Sequence, residues 1–491
     1  MNSINALRRW WVAFALAAAT IVSPLASAGV IPDTAAGKVL RARLEAFASG
    51  SAERLTQYKA RHEPRLDVAH ELLFYRDTGG FDLLKVEESQ DHAITAVIRA
   101  RDADSIGRIE LTVEANAPER VAKLRMYPAA DVPAEFMPAR LPLPQALSGV
   151  QDKAEAMAAR QQYAGSLLIA HGDQVLLSRS WGHADRSAGV ANTADTRFRI
   201  ASMYKMFTAV AILQLVEAGK LDLDGKLADY LDGYPNRELA TQVSIRQLLT
   251  HTAGTGDIFT EEYARKRPQV REHKDYLALF GKRATEFTPG TASSYSNYGF
   301  VLLGAVIERV SGGSYDDYLQ AHVFGPAGMR ATGSLPENQV ATQLAVGYTL
   351  EGDAPQDNRN YLPWRGTAAG GGYSTVGDLQ RFVQALRSGR LLSVNLMAQA
   401  TRAQNADGWY GYGFSVGGEG PLRWFGHDGG AEGMSGSLRV YPELGYMLVS
   451  LANLDPPASE RLTEYFSNRM PVEPKAQEAV ALMAKSQNLS E

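Results

Sequence analysis

The chain changes its hydrophobic period several times, and each change marks a boundary. In "AGKVLRARLEAF" the residues Val39, Leu40, Leu44 and Phe47 fall on one face of a 3.6-residue repeat, which predicts a helix. A second helix is expected around Leu55 to His62. The period then drops to two. "HAITAVIRA" and "GRIELTVEA" alternate, with Ile109, Leu111 and Val113 on one side and Arg108, Glu110 and Thr112 on the other. "RVAKLRMY" reads as a further strand. Helices followed by an antiparallel meander predict a small α+β domain over residues 29–127.

Periodicity then stops at Pro128, Pro133, Pro138, Pro142 and Pro144, a spacing that disfavours helix and central strand alike. Residues 128–146 are therefore expected to form a semi-stiff linker. Beyond it, "YAGSLLIAHGDQVLLSRSWG" gives two apolar runs around His171-Gly172-Asp173, a hairpin. A long apolar helix begins near Ser202 and stops at Gly219. A helix-rich middle includes "SIRQLLTHTAG" and "YGFVLLGAVIERVSGG", and "LRWFGHDGGAEGMSGSLRVYPELGYMLVSLAN" returns to strands with glycine turns. Strands at both ends of a mainly helical insert predict one antiparallel sheet flanked by helices, over residues 147–470. Residues 471–491 are expected to be a tail with a short helix.

Composition narrows the chemistry. A length of 491 residues favours more than one core. A formal net charge of −4 without a basic block gives no electrostatic grip on nucleic acid. Arg8 and Arg9 precede an apolar run from Trp10 to Val22, and Ala26-Ser27-Ala28 follows. That is the layout of a signal peptide over residues 1–28, and it predicts a periplasmic or secreted protein. The run is short against the roughly 20 residues that span a bilayer, so no stable membrane span is expected after its removal. There is no cysteine, which excludes disulfides and thiol catalysis. The nine histidines show neither HxH nor HExxH, so neither a metal nor any other cofactor is expected. Chemistry is left to oxygen, amine and imidazole groups.

Three short patterns supply such groups in order. Ser202-Met203-Tyr204-Lys205 is the only SxxK in the chain, and three residues on a helix bring the amine and hydroxyl to one face. The pair reads either as a cap with a snorkelling lysine or as a nucleophile with its base. Tyr295-Ser296-Asn297 follows a "TPG" turn and offers a phenol for proton relay and an amide to orient the amine. A second YxN, Tyr234-Pro235-Asn236, reads as a simple turn. His427-Asp428-Gly429 is the only HxG, and Gly430 follows it; a strand of small residues admits a substrate backbone, and its N–H groups can face an oxyanion.

The ordered set resembles the serine β-lactamase and penicillin-binding-protein superfamily, especially the branch of class C β-lactamases, D,D-carboxypeptidases, D-aminopeptidases and esterases. "LLTHTAG", "TPGTASSYSNYGFVLLGAVIE" and "AAGGGYSTVGDLQRF" extend it, over roughly residues 147–470. The resemblance implies an α+β, β-lactamase/transpeptidase-like fold with a mostly helical subdomain. It implies Ser202 as acylated nucleophile, Lys205 as base, Tyr295 in proton transfer and Asn297 positioning Lys205. It also implies His427 and Gly429 lining the cleft, with the N–H groups of Ser202 and Gly430 as oxyanion hole. His427 stands where β-lactamases of this branch usually carry lysine, so the implied activity is of D,D-peptidase, D-aminopeptidase or esterase type. A β-lactamase and a non-hydrolysing penicillin- or muropeptide-binding protein are the alternatives. The nearest approach to a GxSxG elbow, "GMSGS", lacks the pattern, which rejects an α/β-hydrolase. Trp364 and Arg365 are a candidate cleft wall. The partner is a small-molecule or peptide substrate, with cell-wall-derived peptides among the candidates; oligomeric state is not legible. The amino-terminal domain resembles cystatin-like or NTF2-like folds in element order alone.

Overall fold

The computed structural model describes residues 30–129, 132–339, 341–351, 354–359 and 362–472. The expected signal peptide and all but the first two residues of the expected tail lie outside them. Two units result, one of residues up to Ala146 together with Glu464–Pro471, the other running from Leu147 to Thr463.

The first unit contains α1 (Ala35–Ala48), α2 (Ala52–His62) and α3 (Val68–Thr78), then strands β1 (Phe81–Ser89), β2 (Ala93–Ala100), β3 (Ile106–Glu114) and β4 (Ala117–Pro128). The strands pair in sequence order as an antiparallel meander. Thr34 caps α1 by accepting from the Gly37 N–H, and Val39 and Leu40 of α1 pack with Ile109, Leu111 and Val113. Two elements were not expected. Helix α3 has little amphipathic contrast, although Asp67 caps its start and Gly79, at φ +67°, closes its end. Strand β1 carries two register irregularities, each of which inverts the in–out alternation.

The described residues of the proline-rich stretch carry local structure. It holds a 3₁₀ turn, Ala134–Phe136, and from Leu143 the first turn of α4 (Leu143–Ala159). Pro142 and Pro144 fall at that helix start, where a missing backbone N–H breaks no intrahelical bond.

In the second unit β5 (Gly165–His171) and β6 (Gln174–Trp181) form the expected hairpin. Near the other end come β7 (Ser415–Gly417), β8 (Trp424–Ala431), β9 (Met434–Tyr441) and β10 (Tyr446–Ala452). They join into one antiparallel sheet of order β7-β8-β9-β10-β5-β6, the pairing Ala452↔Gly165 to Tyr446↔His171 uniting distant parts of the chain. Every residue of β9 and β10 is buried, so both faces of the sheet are covered.

The helical part contributes α5 (Lys205–Glu217), α6 (His273–Phe280), α7 (Asn297–Ser311), α8 (Tyr315–Leu319) and α9 (Val376–Arg387), the last packed on β10 and β5. Residues 205–213 of α5 are all fully buried, as its uniformly apolar sequence requires. Lys205 and Thr208 are the polar exceptions, and a buried polar group must find partners.

Candidate active site

Ser202 does not sit on an α-helical turn. Residues Ala201–Tyr204 form a 3₁₀ turn that feeds α5, and in a 3₁₀ turn positions three apart eclipse. Ala201 adopts φ +43°, a left-handed conformation unfavourable for a residue with a Cβ, and so turns the chain sharply before the hydroxyl. Two approaches hold this turn. The Gly371 N–H donates to Ala201 O at 3.3 Å, and a Cβ on Gly370 would lie 2.9 Å from the same oxygen. On the other side, a Cβ on Gly429 of β8 would penetrate Ile200 O. The glycine of HxG is thus required by the turn that carries Ser202.

The Lys205 ammonium nitrogen is completely buried and lies 3.2 Å from Ser202 Oγ, 2.7 Å from Asn297 Oδ1 and 2.5 Å from Ala369 O. It stands 4.8 Å from the centroid of the Tyr295 ring. The YxN residues open α7: Ser296 is its N-cap, accepting from the Gly299 N–H, and Asn297 is its first residue. Asn297 Nδ2 donates to both oxygens of Asp257, at 3.0 and 3.1 Å. This fixes the amide with its oxygen toward the amine.

His427 is buried, and both ring nitrogens are engaged. Nδ1 is 2.5 Å from the Asp428 carbonyl, which can only accept, so Nδ1 carries the hydrogen; Nε2 then accepts from the Tyr410 hydroxyl at 2.8 Å. Burial and the Lys205 charge push its pKa down to about 4, against the pull of the Asp428 carbonyl. His251, in "LLTHTAG", contacts the rings of Tyr295 and Tyr410 at a tilt, ring centroids 4.3 and 4.4 Å away, and accepts the Ser296 N–H on Nδ1 at 3.1 Å. Burial first, then Lys205 and His427, holds its pKa well below that of a free imidazole. Two neutral imidazoles thus flank Tyr295, the His427 ring lying 6.5 Å from it.

Ser202, Lys205, Tyr295 and Asn297 are therefore brought together, with the His427 ring 6.5 Å from that of Tyr295 and Gly429 against the turn that carries Ser202. A Cβ on Gly430 would meet Pro456 Cγ at 2.7 Å. Trp364 and Arg365 each have a partner of their own: the Arg271 guanidinium lies 4.3 Å from the Trp364 ring centre, and Arg365 pairs with Asp316 at 2.7 Å. From their segment it is Leu362 that packs against Ala201. Asp257, Tyr410 and the Ala369 carbonyl escaped the sequence reading. No motif contains the first two, and a backbone acceptor leaves no mark on residue type. Among the described residues, no group of three or more His, Asp or Glu side chains is placed to hold a metal. Nor is any helix among them long and apolar enough to cross a membrane.

An antiparallel sheet flanked by helices, with a serine and a lysine opening the buried helix beside it, defines a β-lactamase/transpeptidase-like protein. Residues 150–468 match the family model described as beta-lactamase, and the chain belongs to that family of serine hydrolases. It is similar to penicillin-binding protein 4 of Amycolatopsis lactamdurans, with 31% identity over 62% of this chain and 84% of the relative. Among solved structures it is similar to a penicillin-binding protein from Bacillus halodurans (33% identity, TM-score 0.58, 63% of this chain and 97% of that one). A D-stereospecific amidohydrolase from Streptomyces sp. is also similar (26% identity, TM-score 0.55, 65% of this chain and 96% of that one).

Proposed function

We propose that the protein is an exported hydrolase acting through a covalent acyl-enzyme on Ser202, with a peptide, amide or ester as substrate. The observation that carries this is the arrangement around Lys205. An unprotonated amine has two N–H bonds and one lone pair. Asn297 Oδ1 at 2.7 Å and Ala369 O at 2.5 Å each accept an N–H of the Lys205 nitrogen, which lies 3.2 Å from Ser202 Oγ; once the lysine has given up its third proton, its lone pair can take the proton of that hydroxyl.

Lys205 takes the hydroxyl proton as Oγ bonds to the substrate carbonyl carbon, and the N–H groups of Ser202 and Gly430 stabilise the resulting oxyanion. The proton passes by way of Tyr295 to the leaving nitrogen or oxygen, whose bond to carbon breaks. Water then attacks the acyl carbon, surrenders a proton to the same relay, and Ser202 leaves with its hydroxyl restored.

The name of one similar protein, a D-stereospecific amidohydrolase, supports a D-configured amide or peptide as substrate, while the penicillin-binding proteins are named for binding a β-lactam. A neutral His427, with both nitrogens occupied, supplies no fixed charge for an antibiotic carboxylate. Turnover of β-lactams, or binding without hydrolysis, is the second reading. Arg8, Arg9, the apolar run and Ala26-Ser27-Ala28 support cleavage after Ala28 and a periplasmic or secreted location.

The test is intact mass after brief incubation with a penicillin, and separately with an activated ester, followed by acid quench. An acyl adduct on the parent and none on Ser202→Ala is the expected result. An equal adduct or equal hydrolysis in the variant would overturn the assignment.

A further inference from the structure

The segment that presents Ala369 O to Lys205 is itself held by a histidine outside every catalytic pattern. His273, on α6, is buried, and its Nε2 lies 3.1 Å from the Ala368 N–H. A backbone N–H can only donate, so Nε2 carries the lone pair and Nδ1 the hydrogen. Nδ1 in turn lies 2.9 Å from Glu308 Oε1 on α7. Glu308 therefore selects the tautomer that can accept from Ala368.

The other side of the same residue is held from α5, where the Thr208 hydroxyl donates to Ala368 O at 2.7 Å. The ring is given room by design of the helix beside it: a Cβ on Gly304 of α7 would lie 2.6 Å from both His273 Nε2 and Ala368 Cβ. Ala368 is thus gripped at both its N–H and its C=O, one residue before the carbonyl that occupies an N–H of the Lys205 amine.

We infer that His273, oriented by Glu308, is a positioning residue for the acylation step: it sets the Ala369 carbonyl, and through it the direction of the Lys205 lone pair. This rests on the assignment of Lys205 as base. The histidine touches no substrate. Its effect belongs in kcat, because the lone pair matters to proton removal from Ser202 rather than to substrate binding.

The experiment compares kcat and KM on a test ester, with thermal melting, for His273→Phe, His273→Gln, Glu308→Leu and the double variant His273→Gln/Glu308→Leu. Phenylalanine keeps the ring volume without the acceptor and is expected to lower kcat about 10- to 100-fold, with KM within about twofold. Glutamine can place an oxygen near the Nε2 position and is expected to stay within about fivefold of the parent. Glu308→Leu, on a half-exposed side chain, is expected to lower kcat in the parent but to add nothing to His273→Gln, which has no tautomer to select. Parent-like kcat in a folded His273→Phe would overturn the inference, as would glutamine failing as badly as phenylalanine. If His273→Phe does not fold, equal effects of Glu308→Leu with and without His273→Gln would overturn it instead. Ser202→Ala and Lys205→Ala run alongside: activity in either refutes the acyl-enzyme reading, whereas their inactivity with a fully active His273→Phe refutes only the role of His273.

Discussion

The direction of the Lys205 amine depends on acceptors that are themselves held. Asn297 could rotate its amide and present N–H to the amine, but both Asp257 oxygens occupy Nδ2. Asp257→Asn allows that rotation and is expected to lower kcat about tenfold with little change in KM, as outer partners of a reacting group commonly do. Steady-state kinetics on an ester would check it, and an unchanged kcat would remove Asp257 from the site. His427 gives a pH prediction. Its folded-state pKa, about 4, lies below the unfolded value near 6.5, so between those values the unfolded chain binds the extra proton. Its contribution to stability is present above pH 6.5 and is lost as pH falls toward 4, at most about 3 kcal/mol. The carboxyl of Glu460, raised to about 7 chiefly by burial and the nearby Asp428, gives the opposite slope. Urea denaturation of the parent and of His427→Gln at pH 7, 5.5 and 4.5 separates the two. The stability difference should shrink with acid. At this scale Ser202, Lys205, Tyr295 and Asn297 were legible because spacings of three and two recur in order. Asp257 was not, because a carboxylate that meets its partner only through the fold has no period.

Among the elements, the buried helix α5 and the strands β2 and β3 were readable because burial imposes a period or a uniform run. Strand β1 was hidden by its two irregularities, which break the alternation without breaking the strand. The 3₁₀ turn was hidden as well. Its sequence is as apolar as the helix it feeds, and only the left-handed Ala201 and the close approach of β8 distinguish it. That approach is testable. In Gly429→Ala the new methyl must displace either Ile200 or the strand, which is expected to cost about 1–3 kcal/mol and to lower kcat more than stability alone explains. Melting and kinetics on the same preparation would check it. A variant with parent kcat would show that the turn tolerates the shift.

For the whole molecule, the sequence pattern placed the antiparallel sheet and its division between distant segments, because the hairpin and the late glycine-punctuated strands share one alternation. The helical insert between them was readable only as helix-rich, its loops being too irregular to place Asp257 or the Ala368–Ala369 segment. The pairing of β10 with β5 also fixes an order of events during synthesis. Ser202 and Lys205 are made early, long before the strand against which their turn packs, and β5 has no inner neighbour until the last strand arrives. Such high contact order makes folding late and slow, since the closure entropy of a long loop precedes its reward. A nascent chain can thus carry the hydroxyl and the amine through its whole elongation without holding them in register. On the proposed assignment, the site is complete only once the final strand has been made.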